Sequence, residues 1–282
     1  MRAGAVARHT WLVVAASLLT ASADDEGGTE YARLQGVWSF ALVEVDGARQ
    51  PEPPFESNKL IISKDGRYTI VQGPRITRGS LKLDPTQTPK HYDVTITEGP
   101  SKGLVTQGIY EVAGDTYRIC LPLRGKDRPP GFVSKPGSGL LLFVFKREAK
   151  DPTAALIGVA RQEMTGTWQA VTYALGGQPA SEEEMNKIKL TIDPSGQAGA
   201  VSDGKVFIAG TTRIDPTQSP MTVDVTYTDG DMKGQTALGI YKIDNDVLTI
   251  CRAAPGNARP TEFASTPGSS LTLMTYRREK VP

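Results

Sequence analysis

The sequence is poor in the residues on which most metal and nucleophilic chemistry depends. It has two histidines, His9 and His91, and two cysteines, Cys120 and Cys251, in 282 residues. Two cysteines cannot build a disulfide scaffold or a zinc-ribbon ligand set. Net charge is also missing: Lys+Arg 32 oppose Asp+Glu 31. That balance provides no basic field for a nucleic-acid backbone and no acidic field for a basic partner. No membrane span is expected, because the apolar run Trp11–Leu19 (WLVVAASLL) is far short of the ~20 residues a spanning helix needs. Gly125-Lys126 and Gly204-Lys205 lack both the upstream Gly and the following Ser/Thr of a phosphate-binding loop. The G-x-S-x-G, H-E-x-x-H and paired C-x-x-C patterns do not occur. No cofactor and no metal site is expected.

What is abundant is turn punctuation. The 29 glycines and 20 prolines are about 17% of the chain, against a typical ~12%. This favours many short elements over long helices. Hydrophobic residues at 39% suffice for packed cores. The N-terminus reads as an export signal over 1–23: Arg2 and Arg8, the apolar run, then Ala21-Ser22-Ala23 ahead of Asp24-Asp25-Glu26. Removal after Ala23 would take His9 away and leave His91 as the only histidine. A secreted or periplasmic location follows from that reading.

The strongest signal is an internal repeat. Asp84-Pro85-Thr86-Gln87-Thr88-Pro89 recurs as Asp215-Pro216-Thr217-Gln218-Ser219-Pro220, 131 residues later. The same offset carries Asp93 to Asp224, Gly108-Ile109-Tyr110 to Gly239-Ile240-Tyr241, Ile119-Cys120 to Ile250-Cys251, Arg128-Pro129 to Arg259-Pro260 and Arg147 to Arg278. Upstream the offset is 130: Leu34-x-Gly36-x-Trp38 matches Met164-x-Gly166-x-Trp168. One residue of length change therefore lies between the Trp and the Asp-Pro-Thr-Gln motif. A period this long marks a duplicated domain, not a solenoid. The units are 24–148 and 149–282, joined by a linker near 148–163 that is expected to form one short helix.

Each unit reads as all-β. Eight short strands of near-regular spacing predict an up-and-down antiparallel barrel, so the chain should hold two in tandem. Helical periodicity is weak, with one candidate at Ser181–Lys187, where Ser181 can cap a turn. In a meander, successive connections alternate ends. The first and seventh (46–58 and 122–139) are the longest and fall at one end; the tight second, fourth and sixth fall at the other. This predicts a cup with a long-looped mouth and a short-turned base.

Gly36-x-Trp38 with a terminal Arg147, repeated as Gly166-x-Trp168 with Arg278, is similar to the lipocalin kernel. That likeness implies a Trp plugging the closed end and an Arg packed on it. The fuller string (L-x-G-x-W, DPTxxPxxxD, GIY, IC, RPxxF, PGS, Arg) resembles a secreted bacterial lipocalin-like domain of unknown function. That family is abundant in planctomycetes and often occurs in tandem. The resemblance covers 34–147 and 164–278. It implies a fold and supplies no catalytic or ligand residues.

Residues kept in both copies are the candidates for shared roles. Asp84 and Asp93, with Asp215 and Asp224, suit either acid–base or cation chemistry or turn-fixing; the turn reading is preferred. Cys120 and Cys251 are expected to be buried and unbridged, a bridge between the barrels being the alternative. Trp38, Trp168, Arg147 and Arg278 are expected to be structural. His91 aligns with Thr222, so no shared His-dependent reaction exists. Arg128 and Arg259 lie in the long seventh connection. On the expected mouth side each could meet an acidic head group; the preferred reading is that each pins its own loop to a carboxylate or to backbone carbonyls. Tyr110 and Tyr241 are expected to point inward, as packing or as ligand contacts.

The function expected is non-catalytic binding of a small, mainly apolar or amphiphilic molecule in one or both barrels. The alternative is an interaction module with filled barrels whose loops bind protein or glycan. A hydrolase built on the Asp pairs ranks below both. Large side chains closing the interior at Phe40, Leu42 and Tyr110 would count against a carrier.

Overall fold

The computed structural model describes residues 23–51, 58–99, 101–125 and 127–279. Of the expected export signal, 1–22 lie outside the described residues, as do residues 52–57 of the first long connection.

Two closed antiparallel barrels follow each other along the chain. The first runs β1 (Gly36–Val45), β2 (Ala48–Arg49), β3 (Lys59–Ile62), β4 (Arg67–Gln72), β5 (Arg75–Asp84), β6 (Lys90–Glu98), β7 (Val105–Ala113), β8 (Thr116–Pro122) and β9 (Leu140–Glu148). The second runs β10 (Gly166–Leu175), β11 (Gln178–Pro179), β12 (Ile188–Ile192), β13 (Gln197–Ser202), β14 (Lys205–Asp215), β15 (Met221–Tyr227), β16 (Thr236–Asp244), β17 (Val247–Ala253) and β18 (Leu271–Arg278). Each strand pairs with the next long one, and β1–β9 and β10–β18 close the two sheets. The two-residue β2 and β11 only fold back on β1 and β10. Eight barrel strands per copy therefore remain, as the sequence predicts. Closure removes the exposed strand edges that an open sheet would leave.

A helix precedes each barrel and stops up its short-turned base. α1 (Ala23–Leu34) was not foreseen, and the reason is visible in what it buries. Its described buried residues are Leu34 and a carboxylate, Glu30, so it carries no apolar stripe to read. Tertiary contacts hold it: Tyr31 Oη donates to the Leu81 carbonyl at 2.8 Å, and Arg33 to the Val112 carbonyl at 3.1 Å. α2 (Pro152–Met164) is the expected linker helix. Asp151 caps it by accepting from the Thr153 amide at 2.9 Å, with Pro152 in the first turn. α3 (Glu182–Asn186) has a capping box between Ser181 and Glu184.

The Trp and Arg of each copy join helix to barrel. Trp38 and Trp168 are fully buried, and their indole N–H groups donate to the Leu34 and Met164 carbonyls at 2.8 and 3.0 Å. Arg147 lies 4.1 Å from the Trp38 ring centroid and Arg278 lies 4.0 Å from that of Trp168. Both guanidinium groups also donate to carbonyls at the helix ends. Arg147 takes those of Gln35 (2.7 Å) and Arg33 (2.6 Å), and Arg278 those of Thr165 (2.7 Å) and Glu163. Helix C-termini leave carbonyls unpaired and carry partial negative charge, so one arginine serves the ring and the helix together. The preceding glycines are required here: Gly36 and Gly166 have φ of +150° and +133°, and a Cβ would sit 2.6 and 2.9 Å from those guanidinium nitrogens.

α2 also fastens the barrels to each other. Leu156 packs on Val37 and Ile61 of barrel 1, while Ala160 and Met164 enter the core of barrel 2. Arg78 pairs with Glu163 and with Glu98. Arg67 donates to the carbonyls of Thr217 and Gln218 in the base turn of barrel 2. The base of barrel 2 is thus seated on the outer wall of barrel 1, and its mouth points away.

Candidate ligand site in the second barrel

The two barrels share a backbone plan and differ in what fills them. In barrel 1 the inward positions carry rings. Phe40 and Phe145 meet at 4.8 Å between centroids, Trp38 and Tyr117 at 5.4 Å, Tyr117 and Phe145 at 5.6 Å, and Phe143 and Phe145 at 5.9 Å. Strand register identifies the equivalents in barrel 2. Phe40 becomes Ala170, Tyr68 becomes Ala198, Ile70 becomes Ala200, Tyr92 becomes Val223, Tyr117 becomes Leu248 and Phe143 becomes Met274. Five rings are replaced by smaller side chains and two are gained, Tyr173 for Val43 and Tyr227 for Ile96, a net loss of three. Protein interiors tolerate few voids larger than a water, so such a deficit leaves space.

A cavity of about 80 Å³ runs through barrel 2 from Met164 at the base to Tyr173, Phe207 and Arg252 at the mouth. Ala198, Ala200, Val223 and Met274 are among its walls. Most of the lining is apolar. Thr212 is an exception, but its hydroxyl is spent: it accepts from Arg161 at 2.6 Å and donates to the Gly196 carbonyl at 3.0 Å. Tyr276 also lines it and donates to Met274 Sδ at 3.2 Å. Burial pushes the Tyr276 hydroxyl up to about 12, so at neutral pH it is a donor and no base.

Two residues at the mouth set barrel 2 apart from its twin. The first is Phe207. β4 and β5 pair without interruption, with Ile70 opposite Thr77 and Val71 opposite Ile76. In barrel 2, Ala200 faces Ile208 and Val201 faces Val206, and Phe207 is the extra residue of a β-bulge. This is the one-residue length change between the two copies. A bulge bends the strand and re-aims a side chain; here it brings a half-exposed ring, 51% accessible, to the cavity mouth. The second is Arg252. It stands where barrel 1 has Leu121, on an inward position near the end of β17, with its guanidinium 5.8 Å from the Tyr227 ring centroid.

The residues singled out from the sequence are held elsewhere. Arg128 and Arg259 pin their own loop, as preferred from the sequence, but the loop folds down the outside of the wall and does not stand at the mouth. Arg128 donates to the carbonyls of Tyr92 (3.0 Å) and Gly108 and to Asp93 at 2.7 Å. Arg259 repeats the clasp, donating to the Gly239 carbonyl at 2.5 Å and pairing with Asp224 at 2.6 Å. Asp93 and Asp224 therefore hold an arginine each, not the turn amides expected of them. Asp84 and Asp215 fix their own turns, accepting from the Thr86 and Thr217 amides at 3.1 and 2.9 Å and from both hydroxyls at 2.6 Å. With each carboxylate committed to a different partner, the two Asp of a copy do not form a working pair.

Cys120 and Cys251 are buried and unbridged. Both sit on the outer wall under the folded-down loop. Cys120 clusters with Ile109, Leu142 and Phe132, and Cys251 Sγ donates to the Ala264 carbonyl at 3.3 Å. Burial pushes both thiols up, which makes them poor nucleophiles. Tyr110 and Tyr241 are buried in the two cores near the base. Tyr110 Oη donates to Glu30 at 3.1 Å; neither Tyr lines the cavity. Leu42 points outward under the loop, because a bulge between Phe40 and Leu42 turns the strand over. Among the described residues there is no group of three His, Cys, Asp or Glu placed to hold a metal ion.

No family model matches the chain, and no curated protein matches it. Two solved structures are similar in outline. One is a DUF4847 family protein from Bacteroides vulgatus, with 17% identity over 44% of this chain and all of that one, at a TM-score of 0.28. The other is a protein of unknown function from the DUF3598 family of Nostoc punctiforme, with 14% identity over 90% of this chain and 99% of that one, at a TM-score of 0.26. Both belong to families of unknown function.

Proposed function

We propose that the protein is an exported, non-catalytic binding protein that holds a small, mainly apolar molecule in barrel 2, with barrel 1 serving as its mount. The observation that carries this is the apolar cavity of about 80 Å³ at positions where the sister barrel has rings. Apolar enclosures of this kind stay dry and take apolar guests. Among the described residues, the repeated arginines, aspartates and thiols are each committed to a structural contact, so none of these shared pairs supports chemistry. The filled interior of barrel 1 favours a second role for that half, as a module whose loops meet protein or glycan.

The test is native mass spectrometry of the full chain purified from its own source. A reproducible small-molecule adduct is expected on the wild-type protein and absent from Ala198→Tyr, which restores the side chain barrel 1 carries there. Bare wild-type protein, or an adduct that Ala198→Tyr retains, would overturn the reading.

A further inference from the structure

Arg252 is an unusual tenant for the mouth of an apolar cavity. Several other arginines are committed to oxygen acceptors: Arg78 to Glu163, Arg128 to Asp93, Arg259 to Asp224 and Arg278 to helix-end carbonyls. Arg252 is half-buried, and the contact it makes is with the Tyr227 face. Among the described residues it has no carboxylate partner. Its guanidinium offers a planar fork of N–H donors matched to a two-oxygen anion. The exchange of Leu121 for Arg252 puts that fork at the end of the tunnel that opens to solvent.

Resting on the reading of barrel 2 as a ligand site, we propose that the ligand is a short-tailed anionic amphiphile. Its tail lies between Ala198, Ala200 and Val223, and its head group, a carboxylate or a phosphate, lies across Arg252. Size fixes the tail. A cavity of ~150 Å³ accepts a six-carbon ring, so about 80 Å³ encloses roughly three or four carbons. The next few links span the mouth beside Phe207 up to the guanidinium. Chains of about six carbons fit; those of sixteen do not. A charge-assisted, two-pronged contact in a partly dry site is much stronger than the same contact in water, so the head group sets selectivity while the cavity sets length.

The experiment is calorimetric titration of the full chain at neutral pH with hexanoate, hexyl phosphate, hexanol and palmitate. Hexanoate or hexyl phosphate is expected to bind at least ten-fold more tightly than hexanol, and the tighter of the two identifies the head. Palmitate is expected to bind more weakly than either. Arg252→Leu, the residue barrel 1 uses at this place, is expected to reduce the anion to the level of hexanol. Arg252→Lys is expected to recover part of the difference, and unchanged circular dichroism shows that both variants fold. If hexanol matches the anions on wild-type protein, or if Arg252→Leu leaves the anion unaffected, the head-group assignment is wrong while the cavity reading stands. If none of the four compounds binds, both readings fall together.

Discussion

Glu30 is the most heavily engaged buried carboxylate of barrel 1. It is 6% exposed and meets Arg33 and Lys90 at 2.7 Å and the Tyr110 hydroxyl at 3.1 Å. Burial raises its pKa, but the hydrogen bonds and charges of Lys90, Tyr110 and Arg33 outweigh that and hold the carboxyl below its ordinary 4.5. A lowered carboxylate pKa means the unfolded chain takes up the proton first. The contribution is therefore complete above about pH 5 and is lost as the pH falls through the folded value. Glu30→Gln should lower the stability of barrel 1 at pH 7 by about 1–3 kcal/mol. It should also flatten the wild-type decline between pH 5 and pH 3 in urea unfolding; an unchanged pH slope would show that Glu30 is not its source. The second copy has Ala160, Met221 and an unpartnered buried Tyr241 hydroxyl at these places, so the effect belongs to one barrel.

At the scale of elements, the seventh connection is a folded flap on the outer wall. Its arginine reaches the barrel at Gly108 or Gly239, where a Cβ would lie 2.7 Å from the Cys120 carbonyl or 2.9 Å from that of Cys251. Its phenylalanine is covered by a cation: Arg118 lies 4.8 Å from the Phe132 ring and Lys242 lies 4.8 Å from Phe263. This accounts for the joint retention of Arg-Pro, Phe, Gly-Ile and Cys in both copies: together they make one clasp, while the Tyr that follows Gly-Ile belongs to the core. Arg128→Ala should loosen the flap and expose Cys120 while Cys251 stays protected. Thiol labelling of the native protein, read by peptide mass spectrometry, should show Cys120 reacting at least ten-fold faster than in the wild type. Equal protection in the variant would mean the flap is held by its apolar contacts alone.

At the scale of the whole molecule, α2 belongs to two cores. Its first half lies on Val37 and Ile61 and its second half reaches the interior of barrel 2, so neither barrel keeps all its contacts when the other unfolds. The full chain should therefore melt in one cooperative step. Leu156→Asp, placing a charge where Leu156 is 9% exposed at the joint, should split that step in two and lower the stability of the joint by about 3 kcal/mol or more. Calorimetry reads the number of transitions directly, and a single unshifted peak would refute the shared helix as the coupling element.

The sequence by itself determined the duplication, the β class, the eight strands of each barrel, the capped turn at Ser181 and the one-residue difference between copies. These are local or periodic features, legible because turn chemistry and strand alternation act over a few residues and here are written twice. The tertiary structure alone decided which way the flap folds, and so moved Arg128 and Arg259 from the mouth to the wall. It also decided that Phe207 is the inserted residue and which barrel is hollow. A cavity depends on side chains that meet across the interior from strands far apart in sequence, and no single strand records that sum. The signal was nevertheless present in the residues that differ between the copies: Phe40 against Ala170, Tyr68 against Ala198, Leu121 against Arg252. Identity between the repeats marks what holds each barrel shut, and difference marks where one of them has opened.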